Sequence, residues 1–126
     1  MTRLVTAEPQ LFVRDLVVST DFYERRLGFA VAFSYGEPPF YSQVFRDGAR
    51  LNLRRVDDDV VDPVRRDAEQ LIAATIALDD AKALFLEYQA AAVEFVQSLR
   101  SEEWGAQTFI VRDPDGNLIL FAGQAE

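Results

Sequence analysis

The chain has 126 residues, 49% hydrophobic and 12% aromatic, which is enough for one compact unit with a real core and too much for disorder throughout. Thirteen Lys and Arg against 21 Asp and Glu leave a formal net charge of -8, which argues against nucleic acid or an anionic membrane as partner and is compatible with solubility or a cationic ligand. Zero Cys excludes disulfides, thiolate nucleophiles and sulfur-ligated metal, while zero His excludes a Ser-His-Asp triad, a His general base and any His-ligated zinc, iron or copper. Carboxylates, tyrosines, one Lys and twelve Arg remain for chemistry. No basic-then-apolar leader opens the chain and no apolar run approaches the roughly 18 residues of a membrane span, so the expectation is an unprocessed cytoplasmic protein.

"PQLFVRDL", 9–16, reads as a strand. "VSTDFYERRLGF" then changes period: Phe22, Tyr23 and Leu27 share one helical face, Ser19, Thr20 or Asp21 can cap its start, and Gly28 is placed to end it. "FAVAFSY", a break at Gly36 to Pro39, "FYSQVF", a turn at "RDGA" and "RLNLRRV" make three strands in meander order. Residues Asp57 to Asp67 hold five Asp, one Pro and two Arg, and read as a solvated linker.

Beyond the linker the order repeats. "LIAATIALDD" is a strand, "AKALFLEYQAA" a helix burying Leu84, Phe85 and Tyr88, "VEFVQSL" a strand, and "DPDG" closes the last hairpin, its Pro fixing one φ and its Gly freeing another. A period of about 64 to 66 residues between the Asp-bearing strand ends and between the turns points to a duplicated module. The expected architecture is α+β, two βαβββ modules at about 1–56 and 70–126 joined by a linker at about 57–69. Each half exposes one sheet face, so the two sheets should face each other across a cleft or close over a partner chain.

"VRDLVVSTDFYERRLGF" with "WGAQTFIVRDPDGNLILF" resembles the vicinal oxygen chelate superfamily, which includes glyoxalase I, extradiol dioxygenases, and the fosfomycin- and bleomycin-resistance proteins. "AEPQLFVRD", "FYERRLGF", the region of Phe33, "FRDGARLNL" and "EEWG" before the Asp-Pro hairpin are most similar to the bleomycin-resistance proteins. The superfamily's enzymes hold a divalent metal on four side chains, one on the first and one on the last strand of each module. The matching positions here are Glu8, Asn52, Ala73 and Leu120. Two are apolar, so the resemblance implies a cleft that binds without metal or other cofactor and carries no catalytic residue.

The same resemblance implies a homodimer whose N-terminal strand exchanges between subunits about a hinge near Pro9, with ligand grooves between chains. Trp104 and Phe33 match groove aromatics that stack on planar or cationic ligand parts. Tyr35, Glu37, Phe40 and Tyr41 can form a polar-aromatic rim. Asn52 and Arg54 alternate with Leu51 and Leu53 and so face the cleft, where Arg54 suits an anionic or carbonyl group unless it pairs with Glu8. Ala32, Ala73 and Ala74 depart from the pattern, leaving a smaller or differently shaped stacking surface that puts bleomycin itself in doubt. The implied function is capture of a bulky, planar or cationic antibiotic, with two alternatives: a metal-independent enzyme using Glu8 or a Tyr as acid or base, and a partner-binding domain.

Overall fold

The computed structural model describes residues 1–124. In chain order they form β1 (Gln10–Val13), α1 (Leu16–Arg25), β2 (Ala30–Tyr35), β3 (Tyr41–Arg46), β4 (Ala49–Arg55), α2 (Pro63–Glu69), β5 (Ile72–Leu78), α3 (Ala81–Ala90), β6 (Phe95–Ser101), β7 (Ala106–Arg112) and β8 (Leu118–Gln124). Two four-stranded sheets result, ordered β1-β4-β3-β2 and β5-β8-β7-β6, so each half is the expected βαβββ unit. In each sheet the first strand runs parallel to the last, because the helix carries the chain to the far edge and the next three strands return as a meander.

Three local expectations need correcting. The first strand stops at Val13 because Asp15 is the cap of α1, its carboxylate accepting from the backbone N–H of Val17 and Val18 at 3.0 and 3.1 Å. Ser19, Thr20 and Asp21 are inside the helix: Ser19 is buried, Thr20 bonds back to the Leu16 carbonyl, and Asp21 pairs with Arg25. The stretch read as linker contains a two-turn helix, with Asp62 as cap and Pro63 in the first turn, where a missing N–H costs nothing. No residue of α2 is buried, so its periodicity carries no apolar stripe that a sequence reading could detect.

Asp80 caps α3 as Asp15 caps α1, and 80 − 15 gives a repeat of 65 residues that also relates Tyr23 to Tyr88. Both tyrosines are fully buried. One continuous core joins the helix-side faces of the two sheets, with Leu11, Val44, Leu51 and Leu53 from the first and Phe109, Val111, Ile119 and Phe121 from the second. Phe109 stacks on Phe121 with ring centroids 5.0 Å apart, and Tyr88 meets both edge-on. The opposite faces of both sheets turn away from this core.

Polar contacts reinforce the junction. Tyr23 in the first module donates its hydroxyl to Asp113 in the second at 2.9 Å, and Tyr88 in the second donates to the Leu27 carbonyl in the first at 2.8 Å. Asp115 accepts from the Arg14 N–H (2.7 Å) and the Ser19 hydroxyl (3.1 Å), while the Asn117 amide donates to the Phe12 carbonyl (3.0 Å). The "DPDG" turn is thus a clamp between modules as well as a reversal of the chain. Gly116 carries φ +85° within it, a conformation that disfavours any side chain.

Candidate functional site

The outward face of the first sheet can be built from its register. Gln10, Asn52, Gln43 and Phe33 lie in one row across the four strands. The next row toward one end is Phe12, Arg54, Tyr41 and Tyr35, and toward the other Arg50 and Phe45. The alternate residues Leu11, Leu51, Leu53, Ser42 and Val44 are buried on the helix side, so this mosaic of aromatic rings, amides and two guanidinium groups is the face left open. Phe33 is 46% exposed and lies nearly parallel to Tyr41, with centroids 6.3 Å apart.

The central row is held by hydrogen bonds. Gln43, buried in the wall, donates its amide protons to Glu8 at 3.0 Å and to Asn52 at 2.8 Å, and its carbonyl accepts from Arg50 at 2.9 Å. The Arg50 guanidinium also sits 5.2 Å from the ring centroid of Phe45. Arg54 does not pair with Glu8. Among the described residues the one hydrogen bond of its side chain runs to the Arg55 carbonyl at 3.3 Å, leaving an exposed cation on the strand beside Tyr41.

Of the other residues singled out from the sequence, Tyr35 and Phe40 meet edge-on at 5.6 Å, and Glu37 lies in the exposed turn between them. Phe33, Tyr35, Asn52 and Arg54 therefore share one sheet face, with Phe40 and Glu37 at its rim. Trp104 stands apart, 75% exposed in the β6–β7 turn of the second sheet. No aromatic contact joins it to the first sheet among the described residues. Gln43, Phe12, Phe45 and Arg50 were missed in the sequence. The signal available was the alternation of "FYSQVF" and "RLNLRR", which places Gln43 with Tyr41 and Phe45, and Arg50 with Asn52.

The four positions matching the superfamily's metal ligands do not fit a metal. Asn52 faces Gln10 across the parallel pair, and Leu120 faces Thr75 at the equivalent place, so the register equates these two positions. Leu120 and Ala73 have no donor atom. Glu8 and Asn52 already accept from the two protons of one amide, which holds their oxygens where a cation would otherwise bridge them. Among the described residues no group of three His, Cys, Asp or Glu side chains could hold an ion.

The second sheet's outward face is quieter. Thr108 donates to Glu102 at 2.8 Å and accepts from Gln97 at 2.9 Å. Arg100 pairs with Glu102 at 2.7 Å, and hydrogen bonds from Arg100 and Thr108 hold that carboxyl below the usual range. Between the modules lies an open cavity of about 950 Å³, bounded by Pro9, Arg50, Thr75, Leu78, Asp79 and Glu87 among others. None of the seven ligand residues expected from the sequence lines it.

Paired βαβββ modules with helix-side faces fused and outward faces open define a chelate-type architecture in which two of the four metal positions have no donor atom and the other two are bonded to Gln43. The profile of the Glyoxalase/Bleomycin resistance protein/Dioxygenase superfamily matches residues 4–121, and the chain belongs to that superfamily. It matches none of the curated proteins. Among solved structures it is similar to the bleomycin-binding protein of bleomycin-producing Streptomyces verticillus complexed with copper(II)-bleomycin, with 25% identity, 100% of each chain covered and a TM-score of 0.75. It is also similar to the bleomycin resistance determinant encoded on the transposon Tn5, with 21% identity, 94% of this chain and 97% of that one covered, and a TM-score of 0.76. A glyoxalase-related enzyme from Clostridium phytofermentans gives 13% identity, coverage of 98% and 97%, and a TM-score of 0.75.

Proposed function

We propose that the protein captures a bulky, partly planar small molecule of the glycopeptide-antibiotic kind without metal or chemistry, and confers resistance by sequestration in the cytoplasm. The observation that carries this reading is the wall itself: the donors that would hold a metal are tied to Gln43, and aromatic rings surround them. A neighbour complexed with copper(II)-bleomycin supports the ligand class. The groove forms between two copies, the first sheet of one meeting the second sheet of the other. Phe33, Tyr35, Phe40, Asn52 and Arg54 then line one side, with Glu37 at the rim and Trp104 opposite. Leu4 and Val5, 97% and 89% exposed ahead of Pro9, are consistent with an N-terminal arm that seats on the partner.

The chain has a single Trp, so its fluorescence reports occupancy without interference. Titration with metal-free and copper-loaded bleomycin is expected to change the emission saturably near one ligand per chain, and Trp104→Ala should weaken binding by more than about 1 kcal/mol while leaving the dimer intact. A flat titration rejects this ligand. Recovery of the ligand with a new mass would favour an enzyme over a capture protein.

A further inference from the structure

Resting on the reading of the first sheet's outward face as the ligand wall, we infer that this wall selects a planar ligand bearing an acidic group, whose anion docks on Arg54 while its plane lies on the Phe33–Tyr41 pair. Ion pairing across the molecule supports this. Eight of the twelve arginines have a carboxylate within ion-pairing distance, as expected in so acidic a chain. Among the described residues, Arg50 and Arg54 on this face do not. Arg50 is already held by Gln43 and Phe45, whereas Arg54 has only a long bond to a carbonyl.

The acids near the wall leave that cation free. Glu8 is bonded to Gln43 in the central row, and Glu37 lies in the exposed turn at the rim, with no ion pair to Arg54 from either. Tyr41 stands directly across from Arg54 in the register and Phe12 is paired with it on the parallel strand, so both neighbouring strands carry an aromatic residue beside it. With no carboxylate already on it, its planar fork is free to meet two oxygens of a carboxylate or sulfonate, beside rings that can take the ligand's plane. The net charge of -8 does not oppose this, because exposed charges more than about 8 Å away are largely screened at physiological salt.

Three isosteric probes separate the possibilities by calorimetry on the full chain: naphthalene-2-carboxylate, naphthalene-2-carboxamide and 2-naphthylmethylammonium. The acid is expected to bind at least about tenfold tighter than the amide, with affinity that falls as salt rises, and the ammonium weakest. Arg54→Gln should bring the acid down to the level of the amide, Arg54→Lys should restore part of the difference, and Phe33→Ala should weaken acid and amide alike. Arg54 is exposed, so these variants are expected to keep the wild-type thermal midpoint. Equal binding of acid and amide, or tighter binding of the ammonium, overturns the anion preference; loss of that binding in Phe33→Ala then leaves the wall in place as a planar-ligand site. No binding of any probe overturns both.

Discussion

The carboxylate of Asp113 collects four donors in a buried turn: the Tyr23 hydroxyl, the Asn117 amide, and the backbone N–H groups of Asp115 and Asn117. Only the Tyr23 bond crosses from the other module. Tyr23→Phe keeps the ring in the core and removes that bond, so it should cost about 1–3 kcal/mol in urea unfolding, the range for a bond to an ionisable partner. Burial is the main cause that pushes the Asp113 carboxyl above the usual range, and the Asn117 bonds only partly oppose it. A carboxyl raised in the folded state binds its proton more tightly there than in the unfolded chain. Its stabilising contribution is therefore complete below the unfolded value of about 3.9 and is lost as pH climbs through the folded value. The stability of the wild type relative to Asp113→Asn should accordingly fall as pH rises from about 4. A difference that stays flat across a pH series of unfolding curves would refute the assignment. None of this was legible in the sequence, where Asp113 reads as a turn residue and its partner lies 90 positions away.

The helices and turns divide in the same way between what periodicity reveals and what it hides. Tyr23 and Tyr88 were placed on buried helical faces from spacing alone, and both are fully buried. Spacing could not show that each reaches across to the opposite module, because that depends on how the two modules pack over their shared core. Asp15 was missed as a cap because "VRDL" continues an extended apolar pattern, and only the helix that follows shows where the strand has ended. Gln43 carries no local mark, since its partners come from two other segments brought into register. The two hairpin turns offer a paired test. A methyl at Gly116 would meet φ +85° and the Arg66 guanidinium, so Gly116→Ala should lower stability by about 1–2 kcal/mol. A methyl at Gly48 meets open space, and Gly48→Ala should fall within about 0.5 kcal/mol of wild type by the same thermal or urea measurement.

At the scale of the molecule, the fusion of the two helix-side faces decides which surfaces remain for function. The sequence allowed two sheets facing each other across a cleft or closing over a partner. With one core joining their inner faces, their outer faces point apart and do not face each other across a cleft within one chain. A homodimer follows as the proposal to test: sedimentation at micromolar concentration should give twice the chain mass of 14.2 kDa, and the thermal midpoint should rise with protein concentration. A monomer that binds ligand would relocate the groove. The duplicated order was readable because it rests on periodicity and repeat, and alternation set Asn52 and Arg54 on the sheet face opposite Leu51 and Leu53, where the register places them. Trp104's distance from them was not, since it is a property of the two sheets' relative placement.

One connection between the modules has little to do with holding them together. The segment from Asp57 through α2 buries no residue of its helix, whereas Tyr23, Tyr88, Asp115 and Asn117 bind one half directly to the other over a shared core. Covalent continuity is therefore dispensable once the halves have met. A gene interrupted between Asp57 and Asp58 and expressed as two polypeptides should reassemble into the native particle, with Arg66 and α2 carried on the second piece beside the turn they touch. Co-purification of an untagged second piece with a tagged first one measures this. Success would make the two pieces a self-assembling pair of tags that joins any two proteins fused to them.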